Sequence, residues 1–369
     1  MATVGAGLTA LMTTVQTNLT ADAADRLVLD EAAALIAALG ANVVVIGDTD
    51  GALALGALAA RAPSVRVHQD SIVAERALAA IGDSRIASHE LGSALLDGAN
   101  VVLVRLPKSL DDLDRIASQI ALYAAPDVVV VAGGRLKYMT TGMNDVLARS
   151  FGRIDVSHAR QKSRVLFARE PIAVSTPLER HQVHADIDLE VTAVGGVFAG
   201  TSVDIGTRAM LATFDQLPAY ETAIDLGAGT GILAADLKRR RPAARVVATD
   251  ASAAAAESAR ATMKANGIDV EVLRDAGLDS QPDASVDLIV LNPPFHDGGA
   301  VTTDIALDLF AQSARVLRSG GELWTVWNSH LAYKPDLSRL IGSTREIART
   351  AKFTVTASRR RVRELETSQ

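Results

Sequence analysis

Two short runs in the second half of the chain carry the residue types that chemistry needs. The first is Asn292-Pro293-Pro294-Phe295, directly after the apolar run Val286 to Leu291. Prolines after a strand stop the hydrogen-bonded ladder and stiffen the backbone, so a neighbouring carboxamide can be aimed closely. The Asn292 side-chain oxygen and the Pro293 carbonyl can each accept one N–H of an amino group carried by an aromatic base. Such a nitrogen is a poor nucleophile, because its lone pair is delocalised into the ring. Two acceptors draw it towards tetrahedral geometry and turn the lone pair towards an electrophile, while Phe295 offers a face for the base to stack on. The cationic product amine sheds its proton readily, so no general base is needed before transfer.

The second run is Asp225-Leu-Gly227-Ala-Gly229-Thr-Gly231, between an apolar run (Thr222 to Leu226) and a helical stretch from Ile232 to Arg241. Glycines permit positive φ and let the backbone approach a ligand. Ile232 stands where a dinucleotide fingerprint has its third glycine, and the lysine and hydroxyl of a phosphate-gripping loop are absent. An acid beside the loop repels pyrophosphate and suits a cation such as the amino acid moiety of S-adenosylmethionine. Asp250, with Ala251 next to it, closes the following strand, where a carboxylate can accept both ribose hydroxyls. Asp275-Ala276 closes a third, where an acid commonly meets the adenine amino group.

The elements that must carry these runs occur twice. Ala41 to Gly47, Val65 to Asp70, Asn100 to Pro107, Asp127 to Gly134 and Lys162 to Ala168 follow one another in the order of Thr222 to Leu226, Arg245 to Asp250, Val286 to Pro293, Gly321 to Asn328 and Lys352 to Ala357. Asp48 pairs with Asp225, Asp70 with Asp250 and Pro107 with Pro293. Short apolar runs alternating with helical stretches predict parallel βαβ units in each half. Between the halves, His184 to Glu190 alternates with period two, as a half-buried strand does. His181, His184, Asp186 and Asp188 are read there as a solvated face, and no metal site is expected. The predicted boundaries are residues 1–170, a linker and hairpin at 171–195, and 196–369.

The totals narrow the class. The 369 residues suffice for two domains, and 49% hydrophobic with 22% charged residues is a globular composition. A formal charge of -6 counts against a partner held by indiscriminate phosphate contacts, so any RNA would be met by local basic patches. Absence of cysteine excludes disulfides, thiolate metal sites and cysteine nucleophiles. No secretory signal or membrane-spanning run is apparent, and a cytoplasmic monomer is expected.

Taken together, Gly196-Val-Phe-Ala-Gly-Thr-Ser-Val-Asp-Ile-Gly206, the Asp225 loop, Asn292 through His296 to Gly298, Asn328-Ser-His330-Leu-Ala-Tyr333 and Ala351-Lys-Phe-Thr-Val355 resemble the RsmC/RlmG family of ribosomal RNA guanine-N2 methyltransferases. Ser329 stands where that family often has arginine. The resemblance implies an α/β chain of two tandem Rossmann-like class I methyltransferase domains arising from duplication, each with a mostly parallel seven-stranded-type sheet. It implies S-adenosyl-L-methionine as cofactor, bound by Asp225, Gly227, Gly229, Gly231, Asp250, Ala251, Asp275, Ala276 and Asn292. Asn292, Pro293, Pro294 and Phe295 would be catalytic, and the substrate guanine N2 of ribosomal RNA, 16S (small subunit) before 23S. Glutamine or adenine-N6 methylation and a non-catalytic RNA-binding assembly factor are the alternatives. Asp48-Thr-Asp-Gly51 and Leu106-Pro107-Lys108 lack the loop's glycines and the tetrapeptide's acceptor, so the first half reads as degenerate, left to brace the second half or to dock RNA. Arg135, Lys137, Arg160, Lys162 and Arg164 are candidate phosphate contacts, as is the tail Arg359 to Arg363.

Overall fold

A computed structural model describes residues 22–38, 40–173, 179–293 and 300–361. The chain divides into two compact units, 1–178 and 179–369. In the first, β1 (Val43–Ile46), β2 (Val65–His68), β3 (Ile86–Ser88), β4 (Val101–Arg105), β5 (Val129–Arg135), β6 (Phe151–Val156) and β7 (Ser163–Pro171) form one sheet ordered β3-β2-β1-β4-β5-β7-β6. In the second, a separate hairpin of β8 (Glu179–His184) and β9 (Leu189–Val194) precedes β10 (Thr222–Leu226), β11 (Arg245–Asp250), β12 (Glu271–Arg274), β13 (Val286–Leu291), β14 (Leu317–Asn328), β15 (Thr344–Arg349) and β16 (Phe353–Arg359), ordered β12-β11-β10-β13-β14-β16-β15. The two orders are the same. Five parallel strands are followed in each sheet by an antiparallel pair.

Central strands such as Val43–Ile46 are buried at every position, because helices cover both faces of a parallel sheet and leave no solvated side to alternate towards. Trp324 on β14 is fully buried in a core with Leu233, Val246 and Leu288. On the opposite face, Phe310 packs with Ile289, Leu323 and Tyr333, its ring meeting Tyr333 edge-on at 5.4 Å between centroids.

The sheet order reverses between β10 and β13, and such a switch point opens a crevice at the carboxyl ends of the strands. Leu226 pairs with Leu291 at that edge, so the glycine loop and Asn292 leave neighbouring strands at the same level.

Three expectations need correction. His184 to Glu190 is not a strand; residues 185–188 form the turn of the β8–β9 hairpin, whose polar residues happen to fall at alternate positions. That hairpin is part of the second unit rather than a connector ahead of it: Thr192 and Val194 donate their backbone N–H groups to Thr262 Oγ1 and Ser258 Oγ, both at 3.0 Å, on the helix Ala253–Ala265. The pairing of acids between halves is also shifted. Ile46 and Leu226 precede matching glycines, Gly47 donates to the carbonyl of His68 as Gly227 does to that of Thr249, and Ser71 and Ser252 both cap the following helix. In that register Gln69 matches Asp250, Val45 matches Asp225, and Arg105 matches Asn292. Aspartates were misleading landmarks because Asp48 and Asp70 lie in the loops beyond their strands.

Candidate active site

Asp225 lies within β10 and is 1% exposed. Its Oδ2 accepts the backbone N–H of Ala234 at 2.9 Å, while Oδ1 is buried without a partner. Burial, aided by repulsion from Asp250, pushes its carboxyl up to about 7, against the opposing pull of the Ala234 N–H. A buried carboxylate oxygen that accepts no hydrogen bond is unfavourable unless a donor or cation reaches it.

The loop that follows turns through three left-handed glycines, Gly227, Gly229 and Gly231. A Cβ added at Gly227 or Gly229 would meet nothing within 4 Å, whereas at Gly231 it would strike Met263 Cε at 2.8 Å. Two of the glycines therefore border open space, and the third lets the loop close on the helix Ala253–Ala265. Asp250 fixes the loop from the next strand: its Oδ2 accepts Gly229 N and its Oδ1 accepts Ser252 N, each at 2.9 Å. Ala251, beside it, is half-buried.

Asp275, the proposed adenine partner, is 2% exposed and turned to its own loop. It accepts Ala276 N at 2.8 Å, Ser280 N at 2.9 Å and Ser280 Oγ at 2.7 Å, and its backbone N–H donates to the Asp250 carbonyl at 2.9 Å. The carboxyl shapes the loop after β12, and Ala276 is half-buried there.

Asn292 follows β13, with Pro293 buried behind it; Pro294 and Phe295 lie outside the described residues. The Asn292 Nδ2 donates to Asp204 Oδ2 at 3.1 Å and to Thr207 Oγ1 at 3.2 Å. Its Oδ1 is shielded from solvent and has no partner. An acceptor of this kind costs about 1–3 kcal/mol, and a donor reaches it only by displacing what covers it. The run Gly196 to Gly206 includes Asp204 and Gly206 but gave them no role, and Thr207 lies one residue beyond it. Their signal was the cap pattern Asp-x-Gly-Thr opening the helix Ile205–Leu211.

The matching edge of the first unit is filled by its own side chains. The Arg105 guanidinium binds both carboxylate oxygens of buried Asp25, reaches Thr49 Oγ1 at 3.0 Å and lies 3.5 Å from Asp50. Asp48, fully buried, accepts Leu53 N at 3.1 Å and Ala54 N at 2.8 Å, and burial pushes its carboxyl up to about 6.

The histidine and aspartate read as a solvated face have local uses: the His184 ring makes a 2.7 Å hydrogen bond to the Thr201 carbonyl, and Asp186 pairs with Arg208. Among the candidate phosphate contacts, Arg160 pairs with Asp30 at 2.8 Å, and Arg135 lies 3.5 Å from Asp22. In the tail, Arg359, Arg360 and Arg361 donate to the carbonyls of Gly320, Arg315 and Ser338; Arg363 lies outside the described residues.

A seven-stranded sheet of this order, with a glycine loop and an acid-tipped second strand at its switch point, defines an α/β class I methyltransferase fold. The family described as methyltransferase small domain matches residues 188–357, and the one described as RLMG N-terminal domain matches residues 12–171. Proteins called ribosomal RNA large subunit methyltransferase G are 35% identical over 90% of this chain and 91% of theirs in Streptomyces avermitilis, and 33% identical over 86% of each in Shewanella amazonensis. The solved structure of the T. Thermophilus 16S rRNA N2 methyltransferase RsmC, in complex with AdoMet and guanosine, superposes with a TM-score of 0.75 over 90% of this chain and 92% of its own, at 22% identity. The chain belongs to the RsmC/RlmG family of ribosomal RNA methyltransferases.

Proposed function

We propose that the second unit transfers a methyl group from S-adenosylmethionine to guanine N2 of ribosomal RNA. The single observation that carries the reading is the pair of buried, unpartnered oxygens at adjacent strand ends, Asp225 Oδ1 and Asn292 Oδ1. The first suits the ammonium of the cofactor's amino acid end, and the open space beside Gly227 and Gly229 accommodates its backbone-hugging part. Bound there, the cofactor supplies a sulfonium methyl. The carboxamide of Asn292 accepts one hydrogen of the base's amino group and holds the nitrogen lone pair towards the donor. Asp250, which closes the second strand beside the loop, is the carboxylate assigned to the ribose hydroxyls.

The RNA is large-subunit ribosomal RNA in this reading. The small-subunit preference stated from sequence rested on resemblance alone, and the names of the relatives at 33–35% identity favour 23S. With ribosomal RNA as substrate, the reaction belongs to the cytoplasm in this reading; among the described residues no helix is long and apolar enough to cross a membrane.

The first unit serves as a docking or bracing module. The filled loop around Arg105 and Asp48 supports loss of cofactor binding. The exposed Tyr138, with Lys137 at 4.4 Å and Lys108 at 5.1 Å from its ring centroid, supports a contact with unpaired RNA bases and their phosphates. The equal strand order of the two sheets supports duplication as their origin.

Mapping of N2-methylguanosine in ribosomal RNA from cells with and without this protein tests the assignment. Loss of one large-subunit methylguanosine is expected. An unchanged guanosine profile, with a lost methyl on adenine N6 or on a glutamine, would replace guanine by one of those targets.

A further inference from the structure

Asn292 is held by residues 85 and 88 positions earlier in the chain, on a helix that contributes nothing to the glycine loop. Asp204 caps that helix: its Oδ1 accepts Gly206 N at 2.8 Å, and its Oδ2 accepts Thr207 N at 3.2 Å and the Thr207 hydroxyl. Thr207 thus gives its proton to Asp204 and keeps a lone pair for Asn292. Each of the two amide hydrogens of Asn292 has its own acceptor, one a carboxylate and one a hydroxyl.

This arrangement admits one orientation of the carboxamide. Flipping it would put Oδ1 against the Asp204 carboxylate and leave the Thr207 hydroxyl facing an acceptor it does not donate to. Gly206 supplies the room: a Cβ there would stand 3.1 Å from Asn292 Oδ1. Donation to a carboxylate also polarises the amide and strengthens its oxygen as an acceptor.

The first unit contains the same cap in altered form. Asp22 caps the helix Ala23–Ile36 as Asp204 caps its own, and Asp25, three residues on as Thr207 is, binds the residue at the Asn292 position, Arg105. The cap therefore serves the residue at the carboxyl end of the fourth strand in both units. A hydroxyl partner goes with a carboxamide, and a carboxylate partner with a cation.

We infer that Asp204 and Thr207 are positioning residues for methyl transfer, fixing the Asn292 carboxamide so that its oxygen is the atom offered to the substrate amino group. The inference rests on the amino-methylation reading above.

The discriminating variants are Thr207→Val, which keeps shape and removes the hydroxyl, and Thr207→Ser, which keeps the hydroxyl, compared with Asn292→Ala. Full-length chains are assayed with labelled S-adenosylmethionine on ribosomal RNA from cells lacking the protein, alongside calorimetric cofactor binding and thermal melting. Thr207→Val is expected to lower kcat about tenfold or more with KM for RNA and cofactor affinity within about twofold, and Thr207→Ser to recover turnover to within about threefold. Equal turnover of the valine and serine variants would overturn the inference. So would a Thr207→Val chain that loses cofactor affinity and melting temperature in step with kcat, since the residue would then be only structural. Retained turnover in Asn292→Ala would instead remove the amino-methylation reading, and this inference with it.

Discussion

Asn292 and Arg105 stand at equivalent places in the two sheets, each one residue beyond a pair that closes the central strands, Leu291 with Leu226 and Val104 with Ile46. One ends in an acceptor without a partner; the other is a cation satisfied by Asp25, Thr49 and Asp50. The same backbone thus presents an unpartnered acceptor in one unit and a self-saturated edge in the other.

Replacing Asn292 by alanine removes the acceptor and leaves the glycine loop untouched. Single-turnover methyl transfer should fall about 100-fold or more, as when one stabilising hydrogen-bond partner is deleted from a catalytic site, while calorimetric cofactor affinity stays within about twofold. Native turnover in this variant is the contrary outcome.

Asp225 makes stability and binding depend on pH in opposite senses. Its folded-state carboxyl lies at about 7 against an ordinary 3.8, so the folded chain binds the proton more tightly than the unfolded one. Stability from this group is therefore fully present below the ordinary value, falls as pH rises towards about 7, and is flat above. Asp225→Asn should melt higher than the native chain at pH 8, by about 1–4 kcal/mol, with no difference at pH 4. Affinity for a ligand ammonium should rise through about pH 7 in the native chain and be lost in the variant. A flat native profile in both measurements would contradict this.

The glycines of the loop should separate by what surrounds them. Gly229→Ala meets open space, so melting should change by only about 1 kcal/mol from backbone strain, while cofactor affinity falls about tenfold or more. Gly231→Ala drives a methyl into Met263 and should cost about 2–4 kcal/mol in melting experiments before any ligand is added. The reverse ranking would place the ligand elsewhere.

Arg105→Met leaves the Asp25 carboxylate, 2% exposed at its side chain, buried without its cation. Removing one partner of such a pair costs about 3–5 kcal/mol, read as a lowered melting transition. Calorimetry on the native full-length chain should give one cofactor per chain; two would show that the first unit still binds.

The glycine loop and the proline-braced asparagine were legible because their chemistry is local: a strand, a turn and an acid within a few residues. The partners of Asn292 were not, since periodicity carries no information about which helix reaches a residue more than 80 positions away. Asp275 was expected at the ligand from its place at a strand end, but that its Oδ2 also accepts Ser280, five residues on, was not legible there. The edge strands β6 and β15 escaped notice because FGRIDV and TREIAR are largely solvated, leaving no apolar run to mark them. Alternation around Asp186 imitated a strand because a tight turn also places polar side chains in solvent.

The β8–β9 hairpin is zipped to the helix Ala253–Ala265 and its cap by side chains spaced four residues apart. Ser258, Thr262 and Asn266 take the place of a neighbouring strand, exchanging five hydrogen bonds with Glu190, Thr192 and Val194. A shortened gene product beginning at residue 196 would strip these groups of their partners. The truncation would also expose the core residues that Leu189 and Val191 cover, at about 1.5–3 kcal/mol for each large apolar side chain whose burial is lost, against a margin of about 5–15 kcal/mol that keeps a domain folded. A recombinant version of the second unit starting at Glu179 keeps these bonds and should melt well above one starting at residue 196.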